Sequence, residues 1–416
     1  MRLAGYARRT EPVSTILDPI EISAVLLEGA GKRCLIFSCD LMIVGSELQQ
    51  LIHANLAGHG FLPGEILLLA SHTHFAPATD RACSPLGAPD EKFVSDVAKA
   101  AEGLLEQMLQ QQPSEVRLEI KRGRLNHSVN RRRYWPFPTI GRTYGFKFRS
   151  VVLAPDPEGP TAELATILLV RRADGNAVLC AMWHYVCHGT AVIPHKVVSA
   201  DYPGAVRRVL RQRFGHVPCV FVQGFCGDIS PNISSTRTKG GVFDWVHRVA
   251  RLMISGPTFP YRIAEDWKRW SESLATQVAA IADGVAVKTI SPERLSVGAA
   301  RIPLGEFFSG TAPDKPLAVQ VLRLGEDFEL VALSAEVTVQ WQEILDRALP
   351  DETGRIRLYA GYLGALFGYL PTPAQIREGG YEVEGFQRLF GLSGKFDPDK
   401  IVPAVISCAK QAIQDL

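Results

Sequence analysis

The sequence predicts an α/β protein in which helices flank a layered, mixed β-sheet. Short apolar runs of strand length recur along the whole chain, and they alternate with segments whose apolar residues repeat at the helical period. The order of these segments lacks the regular strand–helix–strand rhythm of an all-parallel sheet, which favours a mixed sheet. Because no repeat, low-complexity tract or linker divides the chain, we expect residues 1–416 to form a single domain.

The composition is typical of a globular protein with a large core. Of the 416 residues, 46% are hydrophobic and 21% are charged, and a formal net charge of +2 gives no indication of a nucleic-acid partner or an anionic membrane surface. No apolar run approaches the roughly 20 residues that span a bilayer. The N-terminus lacks the apolar part of a signal peptide, and the eight cysteines form no CxxC pair. We therefore expect a cytoplasmic protein with buried, reduced thiols.

In the first third of the chain, apolar runs predict strands and the 3.6-residue period predicts helices. The expected elements are a hairpin of residues 22–27 and 34–39, a helix at 46–56, a strand at 65–71, a helix at 91–112 and a strand at 116–120. The segment 131–146 is aromatic, basic and proline-containing, and we predict a loop that forms a wall of a substrate site.

The same patterns continue to the C-terminus. Strands are predicted at 150–154, 164–171, 177–188, 218–222, 286–290, 295–302, 317–324, 328–334 and 356–360. Helices are predicted at 267–281, 338–349 and 402–413. The turn-rich, basic segment 233–262 is expected to be an excursion that acts as a lid.

One stretch, residues 223–232, is the strongest candidate for chemistry. It follows the apolar run 218–222 and changes abruptly to Gly, Asp, Ser, Pro and Asn. Ser230 is expected just past the carboxyl end of that strand, where a side chain can meet a substrate, and Gly227 would let the backbone approach closely. An ordinary Asx/Ser-Pro turn explains the same residues, so spacing alone leaves both interpretations open.

Other strand ends carry residues that suit a catalytic metal. His72 and His74, His188 and Glu336 each follow an apolar run, and a catalytic zinc needs rigid nitrogen and oxygen ligands with one open position. In an extended strand His72 and His74 would face the same side. Hydrogen-bonded structural histidines and a solvated glutamate remain the alternatives, and no HExxH motif is present. His184 lies in a strand-like run, which argues against its pairing with His188 as a ligand.

These residues belong to a longer set of blocks by which the chain resembles the neutral/alkaline ceramidase family, zinc-dependent amidases that cleave the N-acyl bond of ceramide. The resemblance extends through nearly the whole chain. Its blocks, in order, are Gly5-Tyr6-Ala7, Ala70–His74 with Pro77, Asn130-Arg131, His188-Gly189-Thr190, Ser199–Gly204, Gly227–Asn232, Ala335–Thr338, Gly361-Tyr362, Tyr369–Pro373 and Gly380–Glu382.

The resemblance implies a function for eight residues. It implies one Zn²⁺ per chain, with the ligands His72, His188, Glu336 and Tyr369. It implies that Ser230 is the nucleophile. It also implies that His74, Arg131 and Tyr381 line the reacting amide, and that Tyr381 donates a hydrogen bond to the oxyanion. Tyrosine is an unusual zinc ligand, and nothing in the residue pattern alone would select Tyr369.

Three further residues are expected to support the site. The resemblance gives Gly5 a backbone contact with the reacting groups. Asp201 and Asp228 are predicted to hold the histidine rings in the required tautomers, although Asp228 is also placed to cap its own turn.

The chain also departs from the family. Residues 75–79 (Phe-Ala-Pro-Ala-Thr) replace the family's Gly-Pro-Gly, which should change the floor of the pocket. The immunoglobulin-like C-terminal domain and the secretion signal of the family's ceramidases have no counterpart in the sequence. These departures weaken the expectation of ceramide as the substrate more than they weaken the expectation of amidase chemistry.

The sequence therefore predicts a zinc-dependent amidohydrolase that cleaves an N-acyl amide through a serine nucleophile. Two alternatives stay open. The same acyl-enzyme would serve an acyltransferase that joins an acyl donor to an amine, and a protein with this fold but no chemistry would be a binding protein. The expected partner is a small-molecule acyl amide or an acyl donor with its amine, and the sequence predicts no oligomeric state.

Overall fold

The computed structural model describes residues 2–7, 9, 11–137, 139–141, 145–147, 150–236, 250, 252–349, 351 and 353–416. In this part of the chain the strands are β1 (Thr15–Ile16), β2 (Ile22–Gly29), β3 (Lys32–Cys39), β4 (Ile66–Ala70), β5 (Val116–Arg124), β6 (Ser128–Trp135), β7 (Thr139–Gly141), β8 (Gly145–Lys147), β9 (Ser150–Asp156), β10 (Leu164–Arg172), β11 (Val178–Tyr185), β12 (Val197–Val198), β13 (Cys219–Gln223), β14 (Ile229–Pro231), β15 (Lys288–Ile290), β16 (Leu295–Ile302), β17 (Phe308–Thr311), β18 (Leu317–Leu324), β19 (Phe328–Leu333), β20 (Glu336–Val337), β21 (Ile356–Ala360), β22 (Tyr369–Leu370) and β23 (Ser393–Phe396). The α-helices are α1 (Ser46–Ala57), α2 (Glu91–Leu109), α3 (Tyr202–Phe214), α4 (Ala264–Asp283), α5 (Trp341–Ala348), α6 (Pro373–Glu378) and α7 (Ile401–Gln414).

Mixed sheets form the centre of the molecule. One sheet has the strand order β13-β11-β10-β5-β15, a second has the order β16-β18-β19-β21, and β2, β3 and β4 form a third. Each sheet contains antiparallel neighbours, and β11–β13, β19–β21 and β3–β4 are parallel pairs. The predicted α/β class with a mixed sheet is therefore confirmed.

The buried side chains show how the layers stack. Alternate residues of the strands face a neighbouring sheet on one side and helices on the other, as the two-residue period of a strand requires. The core between the sheets contains Ile36, Leu67, Ile120, Leu168, Val222, Leu322 and Leu330. On one outer face β10 and β11 pack against α3 and α4. On the other, β18 and β19 pack against α7, within a core that also contains α1 and α2.

Several predicted elements have the expected bounds. The hairpin of β2 and β3 pairs Ile22 with Cys39, and its turn places Ala30 and Gly31 at φ 50° and 74°, the left-handed conformation typical of tight hairpin turns. The eight cysteines are buried and unpaired, as predicted. In the described residues, no helix combines the length and apolar character that crossing a bilayer requires.

The prediction of a loop at 131–146 is wrong for most of the described segment. Residues 131–135 continue β6, and β7 pairs with β8 as a short hairpin. Consecutive arginines in a strand look like an exposed loop, but Arg131 and Arg132 are buried because both are paired with Glu382. Residues 138 and 142–144 of this segment lie outside the described part of the chain.

One helix was missed, and one predicted segment is only partly described. Helix α3 was not predicted, although Asp201 at its N-cap, a proline in its first turn and Gly215 at its end are ordinary helix signals. Of the predicted lid 233–262, residues 237–249 and 251 lie outside the described residues, so the lid stays a prediction.

Candidate metal centre and active site

The first histidine pair follows β4 and is shaped by a backbone reversal. β4 ends at Ala70, and His72 has φ 59°, a left-handed conformation that is uncommon for residues other than glycine. The Nε2 atoms of His72 and His74 approach to 3.2 Å. The two side chains therefore converge as expected, but the prediction that they do so from an extended strand is wrong, because the left-handed residue turns the chain between them.

His188 reaches the same point from the end of β11. It lies beyond the last strand residue, Tyr185, and its backbone N–H donates to the Ile229 carbonyl at 3.1 Å. Its Nδ1 atom lies 2.9 Å from the Cys226 carbonyl, and its Nε2 atom lies 3.0 Å from Nε2 of His72. The ring is 1% exposed, so it belongs to the interior of the protein.

Glu336 brings a carboxylate to this pair of imidazoles. It begins β20, whose parallel partner β22 places Tyr369 directly beside it. The Oε2 atom of Glu336 lies 3.2 Å from Nε2 of His72 and 3.6 Å from Nε2 of His188. The pairing of these two-residue strands is thus what brings two of the predicted ligands, Glu336 and Tyr369, to one place.

The donor set fits a bound cation. A backbone carbonyl can only accept a hydrogen bond, so Nδ1 of His72, 2.8 Å from the Met42 carbonyl, and Nδ1 of His188 both carry the proton. In a neutral ring Nε2 then holds a lone pair, and burial lowers the pKa of His188 well below its usual value, which favours the neutral form. Two lone pairs and a carboxylate facing one another need a positive partner. Nitrogen and oxygen donors with fixed outer hydrogen bonds are typical of zinc sites.

His74 differs from the other two histidines in its outer contacts. Its Nε2 belongs to the group of imidazole nitrogens that lie within 4.8 Å of one another and could hold a metal. Its Nδ1 atom, however, makes no comparable hydrogen bond to the residues that the structure describes. Gly5 lies against this ring with φ 108°, and a Cβ atom there would be 2.4 Å from Nδ1. Gly5 therefore lies directly against the His74 ring, and its backbone is the polar contact that partly opposes the lowering of the His74 pKa by burial.

A cluster of arginine, glutamate and tyrosine lies beside the candidate metal centre. A β-bulge between Asn130 and Arg132 inserts Arg131, whose Nε donates to Oε1 of Glu382 at 2.9 Å. Nη2 of Arg131 donates to the hydroxyl of Tyr369 at 3.0 Å. The Tyr381 ring packs edge-on against the Tyr369 ring, with their centroids 5.5 Å apart.

The charge state of the two tyrosines follows from burial. Burial raises the pKa of both phenols far above the usual value, and the negative charge of Glu336 raises it further. Arg131 opposes this effect but is shared with Glu382. Before any cation binds, both hydroxyls therefore keep their protons, and Tyr381 can donate a hydrogen bond to a developing negative charge.

Ser230 lies on a short strand and not in the predicted turn. β14 pairs Ser230 with Val129 of β6, and the serine is 6% exposed. Gly227 allows the preceding turn to reach β20, since a Cβ atom there would lie 2.7 Å from the Glu336 carbonyl. The hydroxyl of Ser230 makes no side-chain hydrogen bond to the described residues. The carbonyls of Cys226 and Ile229 accept the hydrogen bonds from the ring and the backbone of His188. Ser230 follows Ile229 directly, so the serine belongs to the segment that holds His188 in place.

The two predicted aspartate partners serve other purposes. Asp201 accepts hydrogen bonds from the backbone of Ala191 and Tyr202, and Asp228 accepts them from Val339 and Gln375. Neither contacts a histidine ring, so the prediction that they fix the tautomers is wrong. That function belongs to backbone carbonyls, which carry no sequence signal. His184 is a structural residue, as expected, with Nε2 2.9 Å from the Tyr359 carbonyl.

Tyr362 is a site residue to which the sequence analysis gave no function. Its ring stacks on His72 at 4.1 Å between centroids, and its hydroxyl lies 3.5 Å from Oε2 of Glu336. The residue is fully buried with φ 57°. The pair Gly361-Tyr362 was one of the blocks that carry the family resemblance. The sequence around Tyr362, however, does not show whether its ring packs in the core or supports a metal ligand.

The buried bridge at Glu382 provides a stability prediction. Glu382 is 0% exposed and pairs with Arg131 and with Arg132, so glutamine at this position would leave Arg131 without a counter-charge and Arg132 with only the exposed Glu378. We expect Glu382→Gln to lower the free energy of unfolding by about 3–5 kcal/mol, measured by urea denaturation. Glu378→Gln is the control, because this exposed partner of Arg132 should cost less than about 1 kcal/mol. Equal losses in the two variants would contradict the assignment.

Comparison with solved structures places this arrangement in a known fold. The crystal structure of neutral ceramidase from Pseudomonas aeruginosa matches 99% of this chain and 72% of its own chain, with a TM-score of 0.71 and 17% sequence identity. A ceramidase complexed with C2 matches with the same coverage, a TM-score of 0.72 and 15% identity. No family model matches the sequence, and no curated protein is significantly similar to it.

The fold of the chain is therefore the one seen in neutral ceramidase. The two match over essentially the whole length of this chain, at a sequence identity of 15% to 17%. The resemblance inferred from the ordered blocks is thus confirmed at the level of fold.

Proposed function

We propose that the protein is a zinc-dependent amidohydrolase that cleaves an N-acyl amide through Ser230. The observation that carries the proposal is the buried centre of His72, His188 and Glu336, whose facing lone pairs and carboxylate need a cation. The fold supports the reaction class, because proteins with this fold include ceramidases, which cleave an acyl amide bond. The buried, unpaired cysteines support the predicted cytoplasmic location.

One zinc ion would be held by His72, His188, Glu336 and Tyr369. When bound, it would polarise an acyl carbonyl and lower the pKa of a hydroxyl group near it. His72 and His188 are suited to this because carbonyl groups fix their rings. Tyr362 would steady the centre by stacking on His72 and by its contact with Glu336.

Ser230 would attack the carbonyl carbon of the amide and form an acyl-enzyme. We assign the transfer of the serine proton to the leaving nitrogen to His74, because its Nε2 atom lies in the cluster, 3.2 Å from Nε2 of His72, and His74 is not among the predicted ligands. Tyr381 would donate its O–H to the carbonyl oxygen as negative charge develops there. Arg131 uses Nε and Nη2 on protein acceptors, so it can offer the substrate only Nη1.

The proposal is tested by metal content and turnover together. We expect purified protein to hold about one zinc per chain, and a panel of N-acyl amides differing in acyl length and amine to include at least one substrate. A strong chelator should remove both the metal and the activity, and zinc should restore both. Folded protein with no metal and no turnover would instead support a binding protein. Faster formation of an amide from an acyl donor and an amine would support an acyltransferase.

A further inference from the structure

The carboxamide of Gln375 lies at a buried junction between segments of the proposed active site. Gln375 is 3% exposed and belongs to the first turn of α6, which follows β22 and its predicted ligand Tyr369. Its Oε1 atom accepts hydrogen bonds from the backbone N–H of Thr372 at 2.9 Å and from the hydroxyl of Thr338 at 2.8 Å. Its Nε2 atom donates to Oδ2 of Asp228 at 3.0 Å. Both ends of the amide are therefore bonded to protein groups.

The orientation of this amide follows from its partners. The backbone N–H of Thr372 can only donate, so the atom that faces it must be the amide oxygen. The NH2 group must then face Asp228, whose ionised carboxylate can only accept. The pattern of donors and acceptors therefore allows one arrangement of the junction.

The junction includes the two segments that carry the predicted ligands. Thr338 lies two residues after Glu336, and Thr372 lies three residues after Tyr369. The two segments already pair as β20 and β22, and the N–H of Thr338 donates to the Leu370 carbonyl at 3.3 Å. Because the amide oxygen adds a bond to each segment, the ligand pair is held as one unit.

Asp228 connects this unit to the nucleophile. It lies two residues before Ser230 and is 0% exposed. Its Oδ1 atom accepts from the backbone N–H of Val339 at 2.8 Å, and its carbonyl accepts from the backbone N–H of Arg131 at 2.9 Å. The bond between Asp228 and Gln375 therefore fixes the serine segment against the ligand segments.

Helix capping does not by itself explain the amide. Thr372 and Gln375 form a capping box at the start of α6, in which the third helical residue bonds the backbone of the cap. Glutamate fills this position as well as glutamine does. What glutamate lacks is the NH2 group, and that group bonds Asp228. A buried polar network of this kind is stable only when each member has its partner.

We propose that Gln375 is a positioning residue, which holds Ser230 in register with the ligand pair Glu336 and Tyr369. The inference rests on the proposed function and extends it to a residue that would touch neither the metal nor the substrate. A misplacement of about 1 Å between reacting groups costs about 100-fold in rate. Breaking the junction should therefore lower kcat more than it changes KM. The metal should be retained, because the pairing of β20 with β22 does not depend on this bond.

A reciprocal exchange tests the proposal. Gln375→Glu turns a carboxylate toward Asp228, and Asp228→Asn turns an NH2 group toward either Gln375 or the N–H of Val339. We expect each change to lower kcat by about 30- to 100-fold, with KM within about threefold and zinc content unchanged. The double variant Asp228→Asn/Gln375→Glu again has one donor facing one acceptor. It should recover kcat to within about fivefold of the wild type.

Gln320→Glu is the control. Gln320 also donates from its Nε2 atom to a backbone carbonyl, but this carbonyl belongs to Ile66, at the end of β4 opposite to His72. The control should keep kcat within about twofold of the wild type. Lower melting temperatures with unchanged kcat, or a double variant no better than the single ones, would overturn the inference.

A second measurement does not depend on turnover. Crystal structures of the zinc-loaded wild type and of Gln375→Glu should show Oγ of Ser230 displaced by about 1 Å relative to Glu336 in the variant. An undisplaced serine would overturn the inference. A displaced serine in the variant, with no amide hydrolysed by the wild type, would refute the amidohydrolase and leave the positioning by Gln375 standing.

Discussion

Ser230→Ala is expected to reduce turnover of the best N-acyl amide by about 10⁴- to 10⁶-fold, the range seen when a nucleophile that acts with a proton carrier is removed. The zinc content should stay unchanged, because Ser230 lies on β14 and is not among the predicted ligands. The measurement is kcat/KM together with elemental analysis of the same sample. Loss of activity with the metal retained would assign the chemistry to the hydroxyl and not to a damaged centre.

Ser71→Ala is the matched control for this experiment. Ser71 precedes His72, is fully buried, and its hydroxyl has no hydrogen-bond partner among the described residues. Removing an unsatisfied hydroxyl should leave activity within about twofold and stability unchanged or slightly higher. If Ser230→Ala kept near-wild-type turnover, a serine mechanism would be wrong, and attack by water would replace the acyl-enzyme.

The framework of the fold could be predicted because its central strands, among them β4, β13 and β19, are buried on both faces. The runs 66–70 and 218–222, which became β4 and most of β13, are continuously apolar, since each strand packs against a sheet on one side and a helix or further core on the other. Helix α3 was missed because its sequence is rich in arginine, which obscured both its capping residues and the helical spacing of Val206 and Leu210. The strand at residues 131–135 was missed for a related reason. The charges of Arg131 and Arg132 suggested a loop, but Glu382, which lies 251 residues away from Arg131 in sequence, neutralises them.

The resemblance named residues that the structure brings together, but the geometry of the cluster could not be predicted. His72 and His188 meet although 116 residues separate them, and only the resemblance to a family placed them together. Tyr369 reaches Glu336 through two strands of two residues each, which no periodicity reveals. The carbonyls of Met42 and Cys226 select the tautomers of His72 and His188. Because every residue has a backbone carbonyl, the sequence does not indicate which ones do so. The sequence therefore suggested aspartates for a function that main-chain atoms perform.

His188→Ala is expected to lower zinc affinity by more than about 100-fold, since loss of an outer hydrogen bond to a ligand already costs 10–100-fold. The variant removes one of the two facing lone pairs, so its metal-free form should not be strongly destabilised. Zinc should raise the melting temperature of the wild-type protein and leave that of the variant unchanged, because only binding to the native state stabilises it. The measurements are a competition titration with a chromophoric chelator and thermal unfolding with and without zinc.

His184→Ala separates the loss of a ligand from the loss of any buried histidine near the end of β11. His184 is also buried, but its Nε2 atom is hydrogen-bonded to the Tyr359 carbonyl and faces away from the metal cluster. Its removal leaves that carbonyl unsatisfied and should cost about 1–3 kcal/mol of stability. Zinc affinity and the zinc-induced rise in melting temperature should both persist. Full zinc occupancy in His188→Ala, or equal loss of the metal in both variants, would show that the facing imidazoles of His72 and His188 are not the binding site. The cation that their lone pairs require would then have to be a shared proton.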